Sequence, residues 1–363
     1  MEITRRKFMK LSIGTGLAAP LILHAENKSG SSAPILGEGE WKFEWIGDWG
    51  PLPASIKYGN THNVVEDAHG NIYVHHTVYA DSESADSMIV FDHKGKFIRS
   101  WGKQYKGVAH GMWLQKEGKE EFLYLTVNAA NPKQPLPPGE LPATVVKATL
   151  KGEIVWKIQG PPDIDAYHVP AGTTPAKPLY NPTNIAIAPS GDLYVADGYG
   201  SYYINHYNHN GDYLNTFGGP GSDPGKLKEP HGIWVDTRTP NAVLVVADRR
   251  NNRLQRFTLD GEHIDFITGF RLPCHFHERQ GNVVIPDLQT RVTLIDKNNQ
   301  IITHLGDPTS NGPANPPRNT TNRASFVPGQ FVTPHGACFD HEGNIFVVEW
   351  VEMGRVTKLR KVA

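Results

Sequence analysis

Cysteine is almost absent: Cys274 and Cys338 are the two in 363 residues. Each sits in an apolar, strand-like run, so they cannot form a disulfide framework. They read as quiet buried thiols rather than as a bridge or a metal ligand. Charge of one sign is also missing, with 36 Lys and Arg against 37 Asp and Glu and a net charge of −1. That balance gives no field that would gather nucleic acid or an anionic membrane surface. No glycine-rich loop leads into a helix, no Cys-x-x-Cys pair occurs and no G-x-S-x-G elbow is found. Phosphate-cradling, dithiol redox and nucleophile-elbow chemistry are thereby set aside. Beyond the first two dozen residues there is no long apolar run, hence no further candidate membrane span.

What the chain does have is punctuation. Thirty-six glycines and 28 prolines separate short apolar, aromatic-rich segments, the pattern of an all-β protein with many turns. One unit recurs. A His, Thr or Cys follows a turn residue and opens an apolar strand. A turn such as "HGN" or "SGD" leads to a strand like "LYVAD", a third strand like "RLQRF" ends in Asp-Gly, and a fourth ends in Gly. Copies begin at Thr61, Ala109, Asn181, Lys228, Leu272 and Thr333. Thr183 and His231 are 48 residues apart, and His231 and Cys274 are 43 apart, close to the roughly 40–50-residue period of four-stranded propeller blades.

The sixth copy stops after three strands. "EWKFEWIGDWG", Glu40 to Gly50, reads as the missing fourth strand with its closing glycine. Joining the two ends closes the ring and hides a sheet edge. The expectation is an all-β, six-bladed β-propeller over residues 40–363, in preference to a two-sheet sandwich.

The N-terminus reads as an address. Arg5-Arg6, then Phe8 and Lys10, then a moderately apolar stretch from Leu11 to Leu23 resemble a twin-arginine export signal. Residues 1–25 are assigned to that signal, with an uncleaved anchor as the alternative, and residues 26–39 to a flexible leader. The mature protein is expected to be periplasmic or extracellular, with the twin-arginine export machinery as its partner during transport and no membrane span afterwards.

Residues that open the first strand of each blade ring one mouth of a propeller's central channel. Here these are His62, His110, Thr183, His231, Cys274 and His335. Three of them, His110, His231 and His335, are followed by glycine and fall in alternate blades, about 120° apart in a six-fold ring. Three neutral imidazoles converging with an open fourth position form the donor set of a catalytic zinc, although copper, iron and nickel also accept imidazole. The glycine lets the backbone come close to the axis. His62 shares the ring without the glycine, as a substrate-facing or supporting group. Tyr199, Arg249 and the pair His75-His76 follow second strands and are placed at the same mouth. A phenol beside a cation ionises more easily and can act as a base, and an arginine fork can hold a carboxylate. The adjacent Asp197 and Asp248 read as turn-forming residues, and "HNHNGD" (His206 to Asp212) as a hairpin turn. The loops Asn131–Leu141 and Asp307–Pro328 are candidates to cover a mouth.

The runs "NPTNIAIAPSGDLYVADGYG", "PHGIWVD…VVADRRNNRLQRF" and "PHGACFDHEGNIFV" resemble NHL-type propellers, most nearly the peptidyl-α-hydroxyglycine α-amidating lyases. That resemblance implies a lyase that cleaves a C-terminal hydroxyglycine to an amide and glyoxylate. It implies zinc on His110, His231 and His335, Tyr199 as base and Arg249 at the substrate carboxylate. Two positions depart from it. The family's other arginine falls near His76, which would stand in a catalytic place with His75 and His62 facing substrate. Gly336 replaces an aspartate that ligates calcium, which puts structural calcium in question. A non-catalytic NHL propeller binding a peptide, glycan or protein is the second reading. A gluconolactonase-type hydrolase ranks third, because its sites use carboxylates and Asn around calcium.

Overall fold

A computed structural model describes residues 23–24, 33–129, 143–168, 179–308 and 314–362. The expected export signal, apart from Leu23–His24, and the loop Asn131–Leu141 lie outside the described residues. The described residues form five four-stranded antiparallel sheets and one six-stranded sheet. The first strands of the blades are Thr61–Glu66, Ala109–Glu117, Asn184–Ile187, Pro230–Asp236, His277–Arg279 and Pro334–Phe339. Each blade then steps outward through its second, third and fourth strands. Among the described residues the helices are single 3₁₀ turns, and none is long and apolar enough to cross a membrane.

The core explains why the middle strands read as unbroken apolar runs. Each blade is packed on both faces by its neighbours, so strands such as Leu193–Ala196 and Ile345–Glu349 are buried throughout, whereas the outer strand Phe97–Trp101 is half-exposed. Apolar packing is divided into six clusters, each spanning one interface between adjacent blades. Six blades in an open array would have five interfaces. The sixth joins Phe346, Val348 and Val356 of blade six to Val64, Val74 and Phe91 of blade one, so the ring is closed. In the turns between strands, Gly191 and Gly261 take φ of 90° and 92°, the left-handed region that a side chain would resist.

The closure expected from the leftover segments is present. Phe43–Ile46 pairs antiparallel with Arg355–Lys361, with Trp45 opposite Leu359. The same sheet continues outward through Pro34–Leu36, within the stretch read as leader, and then Leu23–His24. Leu36 joins Phe43 and Trp45 in the cluster between blades five and six.

Candidate metal centre and its cavity

Each ring histidine sits at an interruption of its own strand pairing. The register shifts between Thr61 and Asn63, Ala109 and Met112, Pro230 and Ile233, and Pro334 and Gly336. An extra residue in one strand re-aims the side chain it carries, here toward the axis. The ring is then fixed from the neighbouring blade. His110 Nδ1 bonds the Thr183 carbonyl, His231 Nδ1 the Cys274 carbonyl and His335 Nδ1 the His62 carbonyl, all at 2.8 Å. The glycine after each histidine has the same cause. A Cβ at Gly111 would lie 2.4 Å from the Thr183 oxygen, at Gly232 2.6 Å from the Cys274 oxygen, and at Gly336 2.6 Å from the His62 oxygen. One carbonyl therefore dictates both residues of each His-Gly pair, and blades alternate as donor and acceptor around the ring.

The three imidazoles meet, with centroids 4.9 Å apart for His110–His231, 5.1 Å for His110–His335 and 4.6 Å for His231–His335. His62 is 4.7 Å from His110 and 4.8 Å from His335. Taken by ligand atoms, the sets lying within 4.8 Å of one another are His62, His110 and His335, and His231, Cys274 and His335. The three His-Gly histidines are not themselves one of these sets: His335 belongs to both, His110 groups with His62, and His231 groups with Cys274. Burial holds all four histidines neutral well below their ordinary range, His110 at about 3, with their mutual proximity or the nearby Arg249 charge pushing the same way.

The donor chemistry fits a cation. A carbonyl can only accept, so Nδ1 carries the proton in His110, His231 and His335, and each Nε2 keeps its lone pair. Tyr199 brings one hydroxyl to two of them, 3.1 Å from His110 Nε2 and 3.2 Å from His231 Nε2. One proton cannot serve both. The His62 Nδ1 is also buried without a partner. The centre holds more lone pairs than protons, the condition that a metal ion relieves.

Tyr199 and Arg249 reach this centre as the sequence suggested, but Arg249 is not free. Its Nη2 bonds the Glu229 carboxylate and lies 3.3 Å from the Tyr199 hydroxyl, and its Nη1 points at Cys274 Sγ from 3.7 Å. Glu229 also pairs with Arg250. These cations hold the Glu229 carboxyl below its usual value against its burial. Burial raises the Tyr199 phenol, while the Arg249 charge opposes that rise. Sequence reasoning missed Glu229. Its signal was position: it directly precedes Pro230 and His231, within reach of Arg249.

His75 and His76 are fully buried in the second strand of blade one. His76 Nδ1 accepts the Val78 and Gly59 amides and its ring lies edge-on to Tyr58, while His75 packs against Tyr105. Neither lines the cavity above the ring. At Gly336 the His62 carbonyl and the Asn63 Cα leave no room for a side chain, so no carboxylate can stand there. Asp197 and Asp248 are buried turn organisers: Asp197 accepts the Asn181 and Ser201 amides, and Asp248 the Lys228 amide and Arg253. Asn208 binds the Asn210 and Asp212 amides in the expected hairpin turn.

A cavity of about 850 Å³ opens over the ring, lined by His62, His110, Asn128, Tyr199 and Trp350 among others. A smaller one of about 280 Å³ adjoins it at Tyr199 and Trp350 and reaches His335, Arg249 and Arg250. Arg318, from the loop Asp307–Pro328, stacks on Trp350 with its guanidinium carbon 3.6 Å from the ring centroid, which puts that part of the loop at this mouth. A more apolar cavity of about 510 Å³ on the flank, lined by Trp49, Leu52, Ile56 and Tyr58, involves none of the ring histidines.

Fold and centre together define a six-bladed β-propeller whose channel mouth carries buried histidine clusters able to hold a metal. In sequence it is similar to a peptidyl-glycine alpha-amidating monooxygenase from Mus musculus, 24% identical over 256 residues, which are 62% of this chain and 24% of that one. It is also similar to NHL repeat-containing protein 3 from Homo sapiens, 25% identical over 182 residues, 49% of this chain and 47% of that one. The chain therefore spans about a quarter and about half of the lengths of these curated relatives. Virginiamycin B lyase from Staphylococcus aureus shares the fold, with a TM-score of 0.53 at 15% identity over 88% of this chain and all of the other. No family model matches the chain.

Proposed function

We propose that this protein is an exported, metal-dependent lyase that cleaves a carbinolamide, such as a peptidyl α-hydroxyglycine, to an amide and glyoxylate. The observation that carries this reading is the Tyr199 hydroxyl, held within hydrogen-bonding distance of His110, His231 and Arg249 where the two cavities adjoin. His110, His231 and His335 would hold the ion, zinc by preference, with His62 beside them. When bound, that ion supplies Lewis-acid polarisation of the substrate hydroxyl. Tyr199 takes the hydroxyl proton. The carbon–oxygen double bond forms as the carbon–nitrogen bond breaks, and the amide nitrogen gains a proton. Arg249 keeps a positive charge against the phenol oxygen. Glu229 engages Arg249, which is buried, and the Nε of Arg250, so the substrate carboxylate is met by the outer nitrogens of Arg250, whose side chain is 57% exposed and lines the smaller cavity. The similarity to amidating enzymes supports the choice of substrate.

The test is direct. Purified protein supplied with zinc should release glyoxylate from an α-hydroxyglycyl peptide. Stoichiometric zinc without glyoxylate would remove this reaction and leave the metal centre. Absence of both would favour the second reading, a non-catalytic propeller that binds a peptide, glycan or protein at this mouth.

A further inference from the structure

Cys274 opens blade five, between His231 of blade four and His335 of blade six, and its own carbonyl fixes His231. Its side chain is fully buried. Sγ, a ring nitrogen of His231 and one of His335 lie within 4.8 Å of one another. Donor atoms around a tetrahedral zinc are about 3.5 Å apart, so the set needs to contract by little more than an ångström. Burial pushes the Cys274 thiol up to about 11, and the neighbouring Arg249 charge opposes that rise. Arg249 Nη1 faces the sulfur from 3.7 Å, and the Leu272 carbonyl receives its S–H at 3.4 Å. A guanidinium beside a sulfur stabilises the anionic form that metals bind. Thr183, which opens blade three, has no such availability: its hydroxyl is engaged with the Ala196 and Pro230 carbonyls at 3.1 and 2.8 Å.

From these positions we propose that Cys274 is a sulfur donor to the ion in this ring, joining His231 and His335, so that the centre is mixed nitrogen and sulfur rather than imidazole alone. This rests on the metal reading above. Binding breaks the Cys274 S–H bond, forms a sulfur–metal bond and releases one proton to solvent. A thiolate in the set selects softer ions, zinc or copper(I), over magnesium and calcium. Cysteine with histidine and an open position is also a known catalytic zinc arrangement. Arg249 would then have two anionic neighbours, Glu229 and the thiolate. That accounts for an arginine buried so close to a metal centre.

Cobalt(II) reports the donor type directly, through a thiolate-to-metal charge-transfer band in the near ultraviolet. The full chain, stripped of metal and titrated with cobalt(II), is expected to bind one equivalent and show that band. The band should vanish in Cys274→Ser and persist in Cys338→Ser. One equivalent of cobalt bound without the band would overturn the sulfur ligand and leave the histidine centre standing. No stoichiometric cobalt would overturn the metal reading as well. Should Cys274→Ser fail to fold, the wild-type band and its fate in Cys338→Ser still decide, since these are the chain's two cysteines.

Discussion

Thr183 and His110 are joined across two blades: the Thr183 carbonyl takes the His110 Nδ1 proton at 2.8 Å, and the same oxygen would lie 2.4 Å from a methyl group at position 111. Gly111→Ala should therefore push blade two away from blade three and turn the imidazole. Over-packing of this kind destabilises by about 1–3 kcal/mol. Chemical denaturation should show that loss, and zinc content should fall with it. A mutant as stable and as metal-rich as the parent would mean that the carbonyl does not set the His-Gly pair.

Metal analysis tests the centre itself. His110→Ala and His231→Ala each remove one imidazole while leaving the interblade clusters intact. Zinc per chain, close to one in the parent, is expected to drop sharply in both. His76→Ala should keep its zinc, because His76 is held by the Val78 and Gly59 amides and lines neither cavity of the mouth.

Tyr199→Phe separates base from ligand. It deletes the hydroxyl shared by His110, His231 and Arg249 and keeps the ring. Loss of a general base costs about 10²–10⁴-fold in rate, so glyoxylate release should fall within that range at unchanged zinc content. Equal rates in mutant and parent would assign the proton transfer elsewhere.

Acid should unfold the metal-free protein early. Burial depresses His76 and His275 to about 3 and His277 to about 4. The unfolded chain binds protons at these positions below about pH 6.5, and the folded chain does so only near 3 to 4. Their contribution is thus complete above 6.5 and is lost as pH falls through the window below it. Denaturant midpoints measured from pH 8 to pH 5 should decline on the acid side, whereas a flat profile would contradict the buried neutral state.

The ring's architecture was readable because propeller blades repeat. The entry positions, the alternation of His-Gly pairs and the strand around Phe43 completing blade six all follow from spacing alone. What escaped depends on contacts between blades. Nothing local to "VHHT" says that His75 and His76 lie inside blade one instead of over the ring. Nothing local to "KEPHG" says that Glu229 closes on Arg249 some 20 residues later. The glycine rule was half legible: close approach was evident, but the atom approached is a carbonyl on the next blade, and periodicity does not name it.

The pairing of Phe43–Ile46 with Arg355–Lys361 also fixes an order of events. The annulus cannot shut until the last strand has been synthesised, and His335 belongs to that final segment. Any ion shared by His335 and the earlier imidazoles would consequently be acquired late in folding, from the pool available where the strand Arg355–Lys361 docks.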